Sequence, residues 1–103
     1  MFVIELTYVA PLPAIDAAMK RHMAFVDRYY AAGVFLVSGR KVPRDGGVII
    51  ATARERAVLE AIAHEDPFVV EGLATVRIIE FRASQLADDM PRRLAPTTPA
   101  RRR

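Results

Sequence analysis

Along the first eight residues apolar and polar side chains alternate: Phe2, Ile4, Leu6 and Tyr8 fall on one side, Val3, Glu5 and Thr7 on the other. A period of two is the mark of a strand with one buried face, so this stretch predicts β-structure. Pro11 and Pro13 end it, and Pro13 suits a first helical turn, where its missing N–H would have had no partner. From Ala14 to Ala32 the period changes. Ile15, Met19, Met23, Val26 and Tyr30 recur at spacings of three and four, which predicts a helix that Gly33 closes with a left-handed cap. Val34–Lys41 is β-branched, aromatic and too short for another helix, so it reads as a strand. Pro43-Arg44-Asp45-Gly46-Gly47 carries turn chemistry, and Val48–Ala51 reads as the returning strand of a hairpin. Arg54–Glu65 sets Val58, Leu59 and Ile62 on one stripe of a surface helix, which Asp66-Pro67 stops. After Gly72, the run Leu73–Phe81 supplies a last strand.

The order is βαββαβ, and connections this short favour one antiparallel four-stranded sheet with two helices on one face, an α+β ferredoxin-like plan. The other sheet face is left open. Val3, Glu5 and Thr7 line it, with the apolar half of Ile78, Ile79 and Phe81, and a mixture that greasy favours pairing with a second copy through the open face.

Composition sharpens this picture in three places. Net charge is +3, but residues 1–82 balance ten Lys and Arg against ten Asp and Glu, so the excess lies in residues 83–103, with five Arg and two Asp. A neutral body argues against nucleic acid as a partner, and the basic, proline-containing end from residue 83 reads as a disordered tail. Cysteine is absent, which removes disulfides, thiolate catalysis and cysteine-based metal sites. No apolar run is long enough to span a membrane and Met1–Glu5 is not a signal peptide, so the expected setting is the cytoplasm.

Two positions could carry chemistry. His22 interrupts the inward stripe between Met19 and Val26, where the pattern asks for an apolar side chain, so its ring is at least partly buried. It is either a core histidine with satisfied nitrogens or a titrating group in a pocket. Asp66, followed by Pro67, is either the N-cap of a short turn or a carboxylate able to orient an imidazole. His22 lies about 12 Å along its helix, so their separation cannot be derived from spacing. His64 reads as a wet helix end, and two histidines 42 positions apart with no ligand spacing predict no metal. Ser38 has no neighbouring base that would make it a nucleophile. Ser38, Arg40 and Phe68 are candidate contacts to a bound molecule, Arg40 to an anion.

Arg21-His22-x-x-Phe25, Tyr30-x-x-Gly33, Ser38-Gly39, Gly46-Gly47-Val48-Ile49 and Asp66-Pro67-Phe68, in that order and spacing, resemble the YciI-like (YCII-related) family over residues 1–82. The resemblance implies a ferredoxin-like domain that dimerises as an α+β barrel, with His22 and Asp66 as an active-site pair beside a small cleft. It also implies chemistry like that of barrels that eliminate or isomerise small cyclic and aromatic acids, dehydrochlorination included, with no cofactor. Arg40 stands where the family has proline, which puts the substrate class in doubt more than the fold. Three readings stay open: a lyase or isomerase, a non-catalytic small-ligand module, and a plain dimeric scaffold.

Overall fold

The computed structural model describes residues 1–95. The elements are β1 (Phe2–Tyr8), α1 (Leu12–Ala31), β2 (Phe35–Arg40), β3 (Gly46–Ala51), α2 (Arg56–Ala63), α3 (Pro67–Val70) and β4 (Ala74–Glu80), followed by a 3₁₀ turn at Arg92–Leu94. The strands form one antiparallel sheet in the order β2-β3-β1-β4, the ferredoxin-like arrangement that the sequence predicts.

Three local expectations are corrected. There are three α-helices rather than two among the described residues, because Asp66-Pro67 does more than stop α2. Asp66 accepts the Phe68 N–H at 2.9 Å as an N-cap and Pro67 opens α3. Gly46 and Gly47 are not the hairpin turn but the first residues of β3, opposite Thr7 and Leu6 of β1. A Cβ on Gly46 would lie 1.9 Å from the Leu6 carbonyl oxygen, so the glycine serves close backbone approach inside the sheet. Finally, the buried stripe of α1 is Ile15, Ala18, Phe25 and Val26, while Met23 and Tyr30 are exposed. The sheet lies beneath the seam through residues 15, 18, 22 and 25, and the Met19–Met23 row flanks it.

Both helix endings that matter to the site use one device. Gly33, at φ +79°, donates its N–H to Tyr30 while Val34 donates to Tyr29; Gly72, at φ +71°, donates to Val69 while Leu73 donates to Phe68. Each is a Schellman cap, which satisfies the last carbonyls and turns the chain into the next strand.

The core has two parts. Phe2, Ile4, Phe25, Phe35, Ile49, Leu59 and Ile62 fill the space between the sheet, the C-terminal half of α1 and α2. Leu6, Ile15, Ala18, Phe68 and Ala74 fill the space under the N-terminal half of α1 and α3. Cross-strand pairing puts Ile78 beside Ile4 on the helix side and Ile79 beside Val3 on the open side. The open face carries Val3, Val37, Val48, Ile50 and Ile79 around Glu5. Lys41, at 2.9 Å, and Arg77, at 3.1 Å, hold the Glu5 carboxyl below the ordinary carboxylate range.

The expected tail begins by returning to the body: Leu94 is buried and the Arg93 guanidinium donates to the Gly33 carbonyl at 3.0 Å. The remainder of that expectation, Pro96, Pro99 and Arg101–Arg103 included, lies outside the described residues. No helix among the described residues is long and apolar enough to cross a membrane.

The contrast between two glycines tests the register. Gly46→Ala is expected to cost about 3 kcal/mol through backbone overlap, whereas Gly39→Ala, with nothing within 4 Å of its absent Cβ, is expected to be near neutral in urea unfolding.

Candidate active site

His22 and Asp66 are 44 positions apart in the chain and in contact in the fold: Nδ1 of His22 is 2.9 Å from Oδ1 of Asp66. The contact arises because α3, which Asp66 caps, packs against α1 and brings the carboxylate to the histidine. The same Oδ1 accepts the Phe68 N–H. Facing the imidazole as an acceptor, it makes Nδ1 the donating nitrogen and leaves Nε2 as the one available to another molecule. The two alternatives for Asp66, helix cap and imidazole partner, are therefore one and the same arrangement.

The ring is clamped on its flat side as well. His22 stacks on Phe68 with centroids 4.1 Å apart and planes 5° from parallel, and Tyr8 meets Phe68 edge-on at 5.8 Å. Phe25, of the other core cluster, lies 6.4 Å away. The histidine thus sits at the join of the two clusters. A fork from Arg21 to Glu71, with contacts of 2.8 and 3.2 Å, links α1 to the end of α3 at the exposed surface.

Exposure divides the pair. The Asp66 side chain is 2% exposed and that of His22 13%. Asp66 cannot touch a solute; His22 can. Asp66 Oδ2 is buried with no hydrogen-bond partner among the described residues.

His22 borders a cavity of about 200 Å³ between α1 and the β2–β3 half of the sheet. Met19, Met23 and Val26 form its α1 wall; Leu6, Ile49, Gly47 and Arg40 belong to its sheet wall; Tyr8 and Phe68 close one side. Ser38 lines it too, its Oγ 2.7 Å from the Tyr30 hydroxyl. The structure therefore brings His22, Ser38, Arg40 and Phe68 to one cavity, with Asp66 directly behind the histidine. Tyr8, Met19, Met23 and Gly47 escape a reading of the sequence. The only signals for them are the strand register and the helix phase, neither of which a single chain states without a partner strand to align against. No group of three His, Asp or Glu among the described residues could hold a metal ion. A second groove, of about 870 Å³, lies at the opposite end of β1 around Met1, Arg54, Arg82 and Leu94, and has no histidine.

A ferredoxin-like α+β domain with a carboxylate-anchored imidazole in the wall of a small cleft is the class that this fold and site define. The family model of the YCII-related domain matches residues 1–82, and the chain belongs to that family. No curated protein sequence matches it. Among solved structures it is similar to 5-chloro-2-hydroxyhydroquinone dehydrochlorinase (TftG) from Burkholderia phenoliruptrix AC1100 in complex with 2,5-dihydroxybenzoquinone. The TM-score is 0.67 at 17% identity, over 82% of this chain and 96% of that one. At that identity the likeness speaks for the fold.

The double duty of Asp66 is testable by stability alone. Asp66→Ala should destabilise the domain by about 2 kcal/mol, since it removes a helix cap and strands the Phe68 N–H. Asp66→Asn, which keeps an acceptor there, should cost clearly less in the same urea titration.

Proposed function

We propose that this protein is a small lyase or isomerase that moves a proton on a small cyclic or aromatic acid, with His22 as base and then acid and Asp66 as the group that holds its ring. The observation that carries this reading is the 2.9 Å contact from Nδ1 to a carboxylate that substrate cannot reach, in the wall of a cavity that substrate can. Nε2 would take a proton from a carbon acidified by an adjacent carbonyl. In an isomerisation the proton returns at another carbon; in an elimination the electron pair of the broken C–H bond forms a double bond as a leaving group such as chloride departs with its own pair. The dehydrochlorinase named above supports the second course. Phe68 and Ser38 would flank the ring, and Arg40 would meet its charge.

One observation favours a non-catalytic ligand-binding domain instead: beside His22, Tyr8 is the only other ordinary acid or base that lines the cavity among the described residues. Turnover separates the two readings. On a panel of chlorinated hydroxyhydroquinones and small lactones, His22→Ala and Asp66→Asn should each lower kcat by about a hundredfold or more while circular dichroism stays native. Weaker binding by both variants with no turnover by the parent protein would favour the binding domain, and unfolding of both would make the pair architectural.

The same reading includes a homodimer joined through the open sheet face. Support comes from the exposed Ile79 and Val37 beside half-buried Val3, Val48 and Ile50, a stripe that water covers at a cost. Sedimentation should give twice the mass of one chain, and Ile79→Lys should shift the population toward the single-chain mass; a parent protein that sediments as a monomer at tens of micromolar would refute the dimer.

A further inference from the structure

We propose that Tyr8 is a second catalytic residue of this cavity, its phenolic O–H donating a hydrogen bond to the oxygen on which negative charge gathers as His22 removes a proton. The inference rests on the proton-transfer reading and supplies what that reading lacks, a group to meet the charge that the departing proton leaves behind.

Strand parity brings Tyr8 to the site. Phe2, Ile4, Leu6 and Tyr8 alternate onto the helix side of β1, and the half-buried Tyr8, last in the strand, meets Phe68 of α3 edge-on. His22 stacks on that same Phe68. Both rings line the one cavity of about 200 Å³. This is below the usual range of ligand pockets, about 300 Å³ upward, so a molecule that fills it touches both walls.

The hydroxyl has a cation at its back. Arg44, from the turn between β2 and β3, pairs with Asp16 of α1 and lies within hydrogen-bonding reach of the Tyr8 side chain. Asp16 first, and Tyr8 less strongly, hold the guanidinium above its ordinary pKa. The backbone fixes the turn in the same place, since the Tyr8 N–H donates to the Asp45 carbonyl at 2.8 Å. A guanidinium has only donors, so toward Arg44 the phenol oxygen accepts and its hydrogen is left for another acceptor. Polarised from behind, that O–H gives a stronger hydrogen bond. Packing on Phe68 asks only for the ring; the hydroxyl is what packing does not use.

In the reaction, Nε2 of His22 takes a proton from a carbon beside a carbonyl. The C–H electron pair becomes a carbon–carbon double bond, and the carbonyl π pair moves onto oxygen as an enolate that the Tyr8 O–H meets. Tyr8 keeps its own proton. The pair then returns, either taking the proton back from His22 at another carbon or expelling a leaving group such as chloride, with the His22 proton passing to water.

The probe 4-nitrophenolate mimics the enolate oxygen, and nitrobenzene has the ring without it. In titrations of the full chain at a pH where 4-nitrophenol is ionised, Tyr8→Phe should weaken 4-nitrophenolate about tenfold and leave nitrobenzene unchanged, with the His22 ring signals native by NMR. Arg44→Met should weaken 4-nitrophenolate in the parent and add nothing to Tyr8→Phe, as befits a positioning residue that acts through the phenol; equal losses in both backgrounds would overturn that relay. Deuterium uptake from heavy water beside the carbonyl of cyclohexanone reads the proton transfer itself. Tyr8→Phe should slow it about a hundredfold, and His22→Ala should abolish it. Unchanged 4-nitrophenolate affinity or unchanged uptake in Tyr8→Phe would overturn the role of Tyr8 while leaving His22 as the base. No uptake with the parent protein, alongside Tyr8-dependent binding of 4-nitrophenolate, would overturn proton transfer and leave Tyr8 a ligand contact; binding of neither probe would overturn both.

Discussion

One oxygen atom holds this structure's two ambitions together. Asp66 Oδ1 caps α3 through the Phe68 N–H and fixes the imidazole of His22 through Nδ1, each at 2.9 Å. The cap sets where α3 begins, α3 sets where Phe68 lies, and Phe68 is the plate on which the imidazole rests. Remove the acceptor and the helix start, the stacking partner and the ring orientation loosen at once.

The sheet separates the molecule's remaining tasks by parity. Residues on β1 alternate between a core that carries the cavity and an open face built around Glu5, and the pairing of β3 and β4 with β1 carries that division across the sheet. A slip of one residue would exchange the faces, and Gly46, packed against the Leu6 carbonyl, is among the features that forbid it. The side of the sheet that Arg40 and Ser38 share with the cavity, and the apolar stripe on the far side, thus follow from a single register.

Much of the fold is legible in the residues. Alternation in β1, the three-and-four spacing in α1 and the glycine after it are local signals, and the elements they predict are present with ends displaced by a residue or two. The interruption of a greasy stripe by His22 is likewise visible in the sequence. What local patterns do not carry is phase and partnership. Met23 and Tyr30 read as core because helical spacing gives a stripe without saying where the sheet will lie beneath it. Gly46-Gly47 reads as a turn because glycine's use for backbone approach is apparent only once Leu6 stands opposite. The distance from His22 to Asp66 depends on how α3 docks, and the four residues of α3 are too few to show any period.

The shared oxygen also bears on which of the two residues the fold itself demands. An aspartate that starts a helix is held by the demands of folding, whatever becomes of any chemistry beside it. The helix cap alone accounts for the aspartate; the imidazole on the facing helix is the part of the pair that architecture at that oxygen does not require.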